Sequence, residues 1–380
     1  VKKFLAVMLA LIFTCTMLAG CGGAEQGKGF EIALITDKGN IDDKSFNQGS
    51  WEGVVEFAEK NKITHKYYKP EEVSDAGYLA AIDLAVAGGA KVIVTPGYLF
   101  EVAVYEAQTK YPDVKIILLD GKPHTADNSI SKTEKNVASV MYSEEQSGYL
   151  AGYAAVADGI KKLGFMGGMA IPAVQAYGYG YLQGAEAAAV KQGLADGSVS
   201  VIYHYTGDFA ETDTNKSTAK TMYQEGTECI FACGGSAGKS VMSAAAEAGR
   251  KVIGVDVDQR YDSETVITSA MKGLGTSVGQ VLDSIYNTKS WNTYGGETTY
   301  FSASNGGVGL PTIVIGQKDG NAFDRFASFS KQDYDVIYKA LSDGSVKPLR
   351  TINIQDSKGY ASDAELVSGL GLKKVTVKVR

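Results

Sequence analysis

The chain has 380 residues, 37 Lys and Arg against 43 Asp and Glu, and a net charge of −6. An acidic chain without a basic run does not track phosphate backbones, which excludes nucleic acid as a partner. The length exceeds what a single core organises well and points to two domains.

The N-terminus sets the expected compartment. Lys2 and Lys3 precede an almost unbroken apolar run from Phe4 to Leu18, too short to stay in a bilayer as a spanning helix. It ends in Leu18-Ala19-Gly20-Cys21, which resembles a bacterial lipobox. The expectation is a signal peptide over residues 1–20, cleavage before Cys21 and lipid on its sulfur. The protein would then be extracytoplasmic, held to the cell membrane by that lipid alone. Residues 21–29 are small and polar and read as a flexible tether. Losing Lys2 and Lys3 with the leader takes the net charge from −6 to −8.

Short β-rich runs follow at 31–36, 64–68, 91–95, 115–119, 137–142, 162–166, 199–205, 229–232 and 251–255. Several are continuous apolar stretches, as in strands buried on both faces of a parallel sheet. Amphipathic segments at 48–61, 78–87, 146–157 and 238–248 alternate with them, and Gly88-Gly89 and Gly249 sit where helix C-caps belong. Repeated βα units give an α/β class with parallel sheets. They form two successive sets, about 30–141 and 142–260. The tail adds a strand-like run at 265–271, a Gly-rich turn at 306–309 and a helical pattern at 331–341.

Polar loops close several strands. The block from Asp37 to Asn47 follows the first strand and precedes a helix, where open α/β sheets bind ligands. Ser45 is placed to cap that helix and Phe46 to project into a cleft. Asp37, Asp120 and Asp256 each end an apolar run, at matching topological positions. Three such acids point to one shared polar cleft whose carboxylates accept hydrogen bonds from hydroxyl or N–H groups. Only five arginines occur, none before Arg250, so the first lobe offers no guanidinium for an anion. A neutral, hydroxyl-rich or cationic solute fits that balance.

Enzyme chemistry finds little footing. Cys233 to Ser240 misses the phosphate-cradling Gly-x4-Gly-Lys-Ser pattern because Cys233 stands at its first glycine. No nucleophile elbow, zinc-protease helix or Cys/His pairing occurs. His65, His124 and His204 lack ligand spacing, and no metal or cofactor is expected. Cys229 and Cys233, four residues apart on one strand, lie roughly 13 Å apart and cannot bridge.

Taken in order, these motifs resemble the basic membrane protein family: the leader with Cys21; the Asp37-x-Gly-x-x-Asp-Asp-x-Ser-Phe46-Asn47 block; Glu144-Glu145-Gln146-x-Gly-Tyr-Leu-Ala-Gly152; Gly167-Gly168; Cys233-Gly234-Gly235; and Val-Ile-Gly-Val-Asp256-x-Asp-Gln259. The resemblance implies a substrate-binding lipoprotein of an ABC transporter, not an enzyme, with purine nucleosides as solute. It implies a type I periplasmic-binding-protein fold, two Rossmann-like lobes joined by a multi-strand hinge. The lobes would be 30–141 plus about 261–290, and 142–260 plus about 291–380. It implies that Phe46, beside Asn47, and Phe209 stack on the two faces of a base. Asp37 and Asp120 would bond the ligand from the first lobe. Asp256 and Lys272 would hold the ribose, and backbone at Gly234 or Gly235 would complete the wall. Where the family often has Gly-Gly-Thr-Gly-x-Gly, this chain has Gly234 to Lys239, which puts Lys239 near the expected cleft. The implied partners are an ABC permease and its ATPase, with the protein itself a monomer. The alternatives are riboflavin or another heteroaromatic or sugar-like solute in the same fold, or a surface sensor or adhesin without transport.

Overall fold

A computed structural model describes residues 29–314, 317, 320–350 and 363–380. The proposed leader, Cys21 and all of the tether but Gly29 lie outside the described residues. No helix among the described residues is long and apolar enough to cross a membrane.

In chain order the strands are β1 (Ile32–Ile35), β2 (His65–Tyr68), β3 (Val92–Pro96), β4 (Lys115–Leu119), β5 (Val137–Tyr142), β6 (Lys162–Gly167) and β7 (Val199–Tyr205). There follow β8 (Cys229–Cys233), β9 (Lys251–Asp256), β10 (Val266–Lys272), β11 (Thr298–Phe301), β12 (Val308–Gly309) and β13 (Val375–Val379). They form a six-stranded sheet ordered β11-β5-β4-β3-β1-β2 and a seven-stranded sheet ordered β12-β10-β9-β8-β6-β7-β13. Neighbouring strands are parallel except β10 with β12.

Helices cover both faces of each sheet, because strand side chains alternate. In the first sheet Ile32 and Leu34 point to one core with Val54, Phe57 and Ala58 of α1 (Phe46–Asn61). Ala33 and Ile35 point to the other, under α2 (Asp75–Ala87) and α3 (Glu101–Lys110). The second sheet repeats the scheme. Leu163 and Phe165 lie beneath α4 (Glu144–Ala157) and α5 (Pro172–Lys191). Met166 and Ile230 face α6 (Asp213–Gln224) and α7 (Ala237–Ala248). The glycine C-caps fall as expected: Gly88 ends α2, and Gly249 ends α7 with φ 61°.

Helices α8 (Leu274–Tyr286), α9 (Lys331–Ser342) and α10 (Asp363–Val367) belong to the tail. Two tail strands lie opposite to the expected lobe division. Residues from about 261 to 290 are expected in the first lobe, but β10 pairs in parallel with β9 and extends the second sheet. Residues from about 291 to 380 are expected in the second, but β11 covers the edge of β5 in the first. An apolar run extends whichever edge lies within its reach, and the chain crosses between lobes directly after Lys272 to lay α8 on α1. The crossings at 142–144, 272–274 and 301–308 are bonded to one another: Ser143 N donates to Phe301 O at 2.9 Å, and Gly273 N to Gly307 O at 2.8 Å.

Candidate functional site

The cleft lies between the lobes, and its empty space, open mouth included, is about 910 Å³. Asp37, Phe46, Asn47, Asp120, Phe209, Gly234, Gly235, Asp256 and Lys272 all line it. Lys239 is not among the lining residues, because it lies within α7, beyond the Gly234–Ser236 segment that borders the cavity.

The first wall is the loop before α1. Asp43 organises it. Its Oδ1 accepts from Ser45 N at 2.8 Å and Gln48 N at 3.1 Å, and its Oδ2 from Asn47 N at 3.0 Å and Asn47 Nδ2 at 2.8 Å. This carboxylate, not Ser45, satisfies the first N–H groups of α1, and an acid is favoured there by the helix dipole. Asn47 Nδ2 also donates to Asp37 Oδ1 at 2.8 Å, while its Oδ1 accepts from Asp37 N at 3.1 Å. Asn47 thus ties the two acids into one unit. Burial pushes the Asp37 carboxyl up to about 6, against the lowering pull of the Gly39 N–H and Asn47. Phe46, the first residue of α1, presents its ring to Lys272, whose Nζ lies 4.7 Å from the centroid.

Ser45, released from capping, reaches across the cleft. Its Oγ donates to Asp256 Oδ2 at 2.5 Å. Gln259 Nε2 donates to Lys44 O at 2.7 Å beside it. These bonds join the first lobe's loop to the end of β9.

The second wall is barer. Phe209 follows β7, and its carbonyl accepts from Ala237 N at 3.0 Å. A Cβ on Gly168 would lie 2.4 Å from the Phe209 ring, so only glycine lets the ring settle there. Tyr177 is fully buried, lines the cavity and donates to Asp256 Oδ1 at 3.4 Å.

The floor is ionic. Lys272 ends β10 almost fully buried. Its Nζ bonds Asp120 Oδ2 and lies 3.3 Å from Glu144 Oε1 and 3.9 Å from Asp256 Oδ1. Burial opposes its charge, but Asp120, Glu144 and Asp256 outweigh that and hold the ammonium above the usual lysine range. Burial raises the Asp120 carboxyl, with Lys272 pulling against it. Asp120 Oδ1 is buried without a hydrogen-bond partner among the described residues.

Glu144 and Arg350 are among the lining residues that the sequence does not single out for the site. Glu144 stood only in a motif block. Its place follows from packing: α4 and α5 approach so closely that a Cβ on Gly148 or Gly152 would lie 2.0–2.1 Å from a carbonyl oxygen of α5. Those glycines, spaced by four, were the available signal. Arg350 carried no local signal at all. It arrives from the tail, so a guanidinium does reach the cleft, bonded to Glu144 and Glu145. Even so, five carboxylates face three cations, Lys38, Lys272 and Arg350, along the lining. Among the described residues no group of three or more His, Cys, Asp or Glu is placed to hold a metal ion.

Comparison with known proteins agrees with this architecture. Residues 30–344 match the family described as Bmp, ABC transporter substrate-binding protein PnrA-like. The chain is 30% identical over 339 residues to the ABC transporter nucleoside-binding protein BmpA of Lactococcus lactis, covering 81% of this chain and 91% of that one. It is 28% identical over 310 residues to basic membrane protein A1 of Borrelia garinii, covering 80% and 87%. Among solved structures, an ABC transporter solute-binding protein from Aeropyrum pernix superposes with a TM-score of 0.71 at 23% identity, covering 86% of this chain and 94% of that one. One from Conexibacter woesei gives 0.63 at 21%, covering 84% and 99%. At such identities the structural likeness speaks for the fold alone. The chain belongs to the Bmp family of PnrA-like substrate-binding proteins, extracytoplasmic solute binders rather than enzymes, which work with an ABC permease and its ATPase.

Proposed function

We propose that this protein captures purine nucleosides between its lobes and delivers them to its permease, held to the membrane by lipid on Cys21. One observation carries the reading. Two phenylalanines from different lobes, Phe46 and Phe209, line one cleft with strand-end acids from both lobes, Asp37 and Asp120 from the first and Asp256 from the second. A planar base needs the rings, and a ribose diol needs fixed acceptors. Stacking on an aromatic side chain is worth roughly 1–3 kcal/mol per base in single-strand binders. The nucleoside-binding relative in Lactococcus lactis adds weight.

Capture works through the hinge. A ligand touching both walls gains its full contacts only when the lobes are together, so it shifts the population toward the closed form. The Ser45–Asp256 and Gln259–Lys44 bonds across the cleft would add to that closed state. The excess of carboxylates disfavours nucleotides, whose phosphate would bring like charge into a site that excludes water.

The test is thermal shift of the purified protein against inosine, adenosine, guanosine, the corresponding monophosphates, free bases, riboflavin and sugars. A specific ligand at 100 times its Kd adds about 2.7 kcal/mol of stability. The expected outcome is a shift with nucleosides and none with monophosphates. A response to riboflavin or sugars alone would replace the solute and keep the clamp. No response to any nucleoside rejects the proposal.

A further inference from the structure

The matched family region ends at residue 344, yet the chain beyond it returns to the cleft. Gln183 of α5 grips the backbone of Leu349 on both sides. Its Nε2 donates to Leu349 O at 2.9 Å and its Oε1 accepts from Leu349 N at 2.7 Å. The next residue, Arg350, lies at the first hinge crossing. Its Nη1 donates to Tyr142 O at 2.9 Å, Glu144 Oε2 at 2.5 Å and Glu145 Oε2 at 2.6 Å. Glu144 is fully buried, and its second oxygen faces the Lys272 ammonium.

We infer that Arg350 is a positioning residue for ligand capture: by pairing Glu144 and Glu145 it leaves Lys272 to Asp120 and Asp256. The inference rests on the nucleoside reading only in taking those two acids as ligand contacts. Its physical basis is competition for one cation. Lys272 stands among three buried carboxylates, and a buried charge that loses its partner is strongly destabilised. Without Arg350, Glu144 has only Lys272 to turn to. The ammonium is then drawn toward the hinge and away from the strand ends, and the acids lose the geometry a ligand needs. Charge balance agrees. Burial works against ionised Glu144, yet Arg350 and Lys272 outweigh it and hold the carboxyl below the usual glutamate range. Burial raises Glu145, so this second acid can take up a proton when Arg350 is gone. All three contacts are made by Nη1, so the place calls for one fixed cationic donor, which a guanidinium supplies without losing its charge.

The test combines two readouts on the purified protein. Carboxyl carbon NMR without ligand reads Glu144 directly. In R350Q its titration moves up by about one pH unit or more relative to wild type. No movement overturns the inference. Calorimetry with inosine and adenosine reads capture. R350Q weakens binding of the tighter one by about tenfold or more, R350K restores most of it, and E144Q/R350Q restores it to within a few fold. The double variant is decisive, because deleting an acid does not repair a contact that merely held the tail. Wild-type affinity in R350Q, or a double variant as weak as R350Q, overturns the inference. Wild-type protein that binds neither nucleoside refutes the functional proposal instead, and the Glu144 titration then decides the role of Arg350 by itself.

Discussion

Asp120 and Asp256 invite comparison. Each follows a buried apolar strand run, one in each lobe, and both adopt the left-handed backbone region that non-glycine residues rarely enter, with φ of 55° and 65°. Such strain persists where the surroundings over-determine it, and it clusters at ligand sites. The two lobes thus turn the chain the same way at the same point and aim a carboxylate into the same cavity. The difference lies in what each carboxylate has left to offer. Asp256 has both oxygens engaged, Oδ2 by Ser45 from the opposite lobe and Oδ1 by Tyr177. Asp120 has Lys272 on Oδ2 and, among the described residues, no partner on Oδ1. Asp256 adds an interlobe fastening to its place at the cleft, whereas Asp120 keeps an open acceptor oxygen.

Lys272, which lies between the two, is the place to break that comparison. Lys272→Met leaves Asp120 and Asp256 without their common cation and should cost about 3–5 kcal/mol of stability by denaturant unfolding. The loss should shrink as acid protonates the stranded carboxylates. An unchanged midpoint would show that the floor is not held by charge.

Phe46→Ala removes the ring that faces Lys272, the cation shared by both acids, and should leave the fold intact. Nucleoside affinity should fall by roughly 1–3 kcal/mol in calorimetry, with the melting temperature of the free protein little changed. Normal binding would remove Phe46 from the proposed clamp.

Ser45→Ala and Asp120→Asn sharpen the contrast. Losing Ser45 Oγ costs about 1.5–3 kcal/mol of a charge-assisted bond across the lobes, and small-angle scattering should report a more open average shape. Asp120→Asn retains an acceptor oxygen but loses the charge, so nucleoside affinity should fall without such opening. If both variants change shape alike, the two acids have one role, not two.

The last expected effect is a pH slope. Asp37 has its carboxyl raised by burial to about 6 in the folded chain, against about 3.9 unfolded. The folded protein therefore binds the extra proton between those values, and the stability from that proton is lost as pH rises from about 4 to about 6. Asp37→Asn should flatten that segment of the stability curve.

The sequence by itself determined the layered α/β plan. Continuous apolar runs such as Lys115–Leu119 and Val137–Tyr142 are observed as strands over the same residues, because buried parallel strands need hydrophobic side chains on both faces. It also determined which strand ends carry acid, since an aspartate after such a run has nowhere to go but the sheet's ligand-binding edge. Tertiary structure alone decided the rest. Asp43 took the helix cap because its two oxygens meet several N–H groups at once, which freed Ser45 for Asp256, a partner 211 residues away. β10 joined the second sheet, β11 the first, and Arg350 came back to the hinge. Those outcomes depend on which edges and charges remain unpartnered after the lobes form, and no local pattern of residues records that.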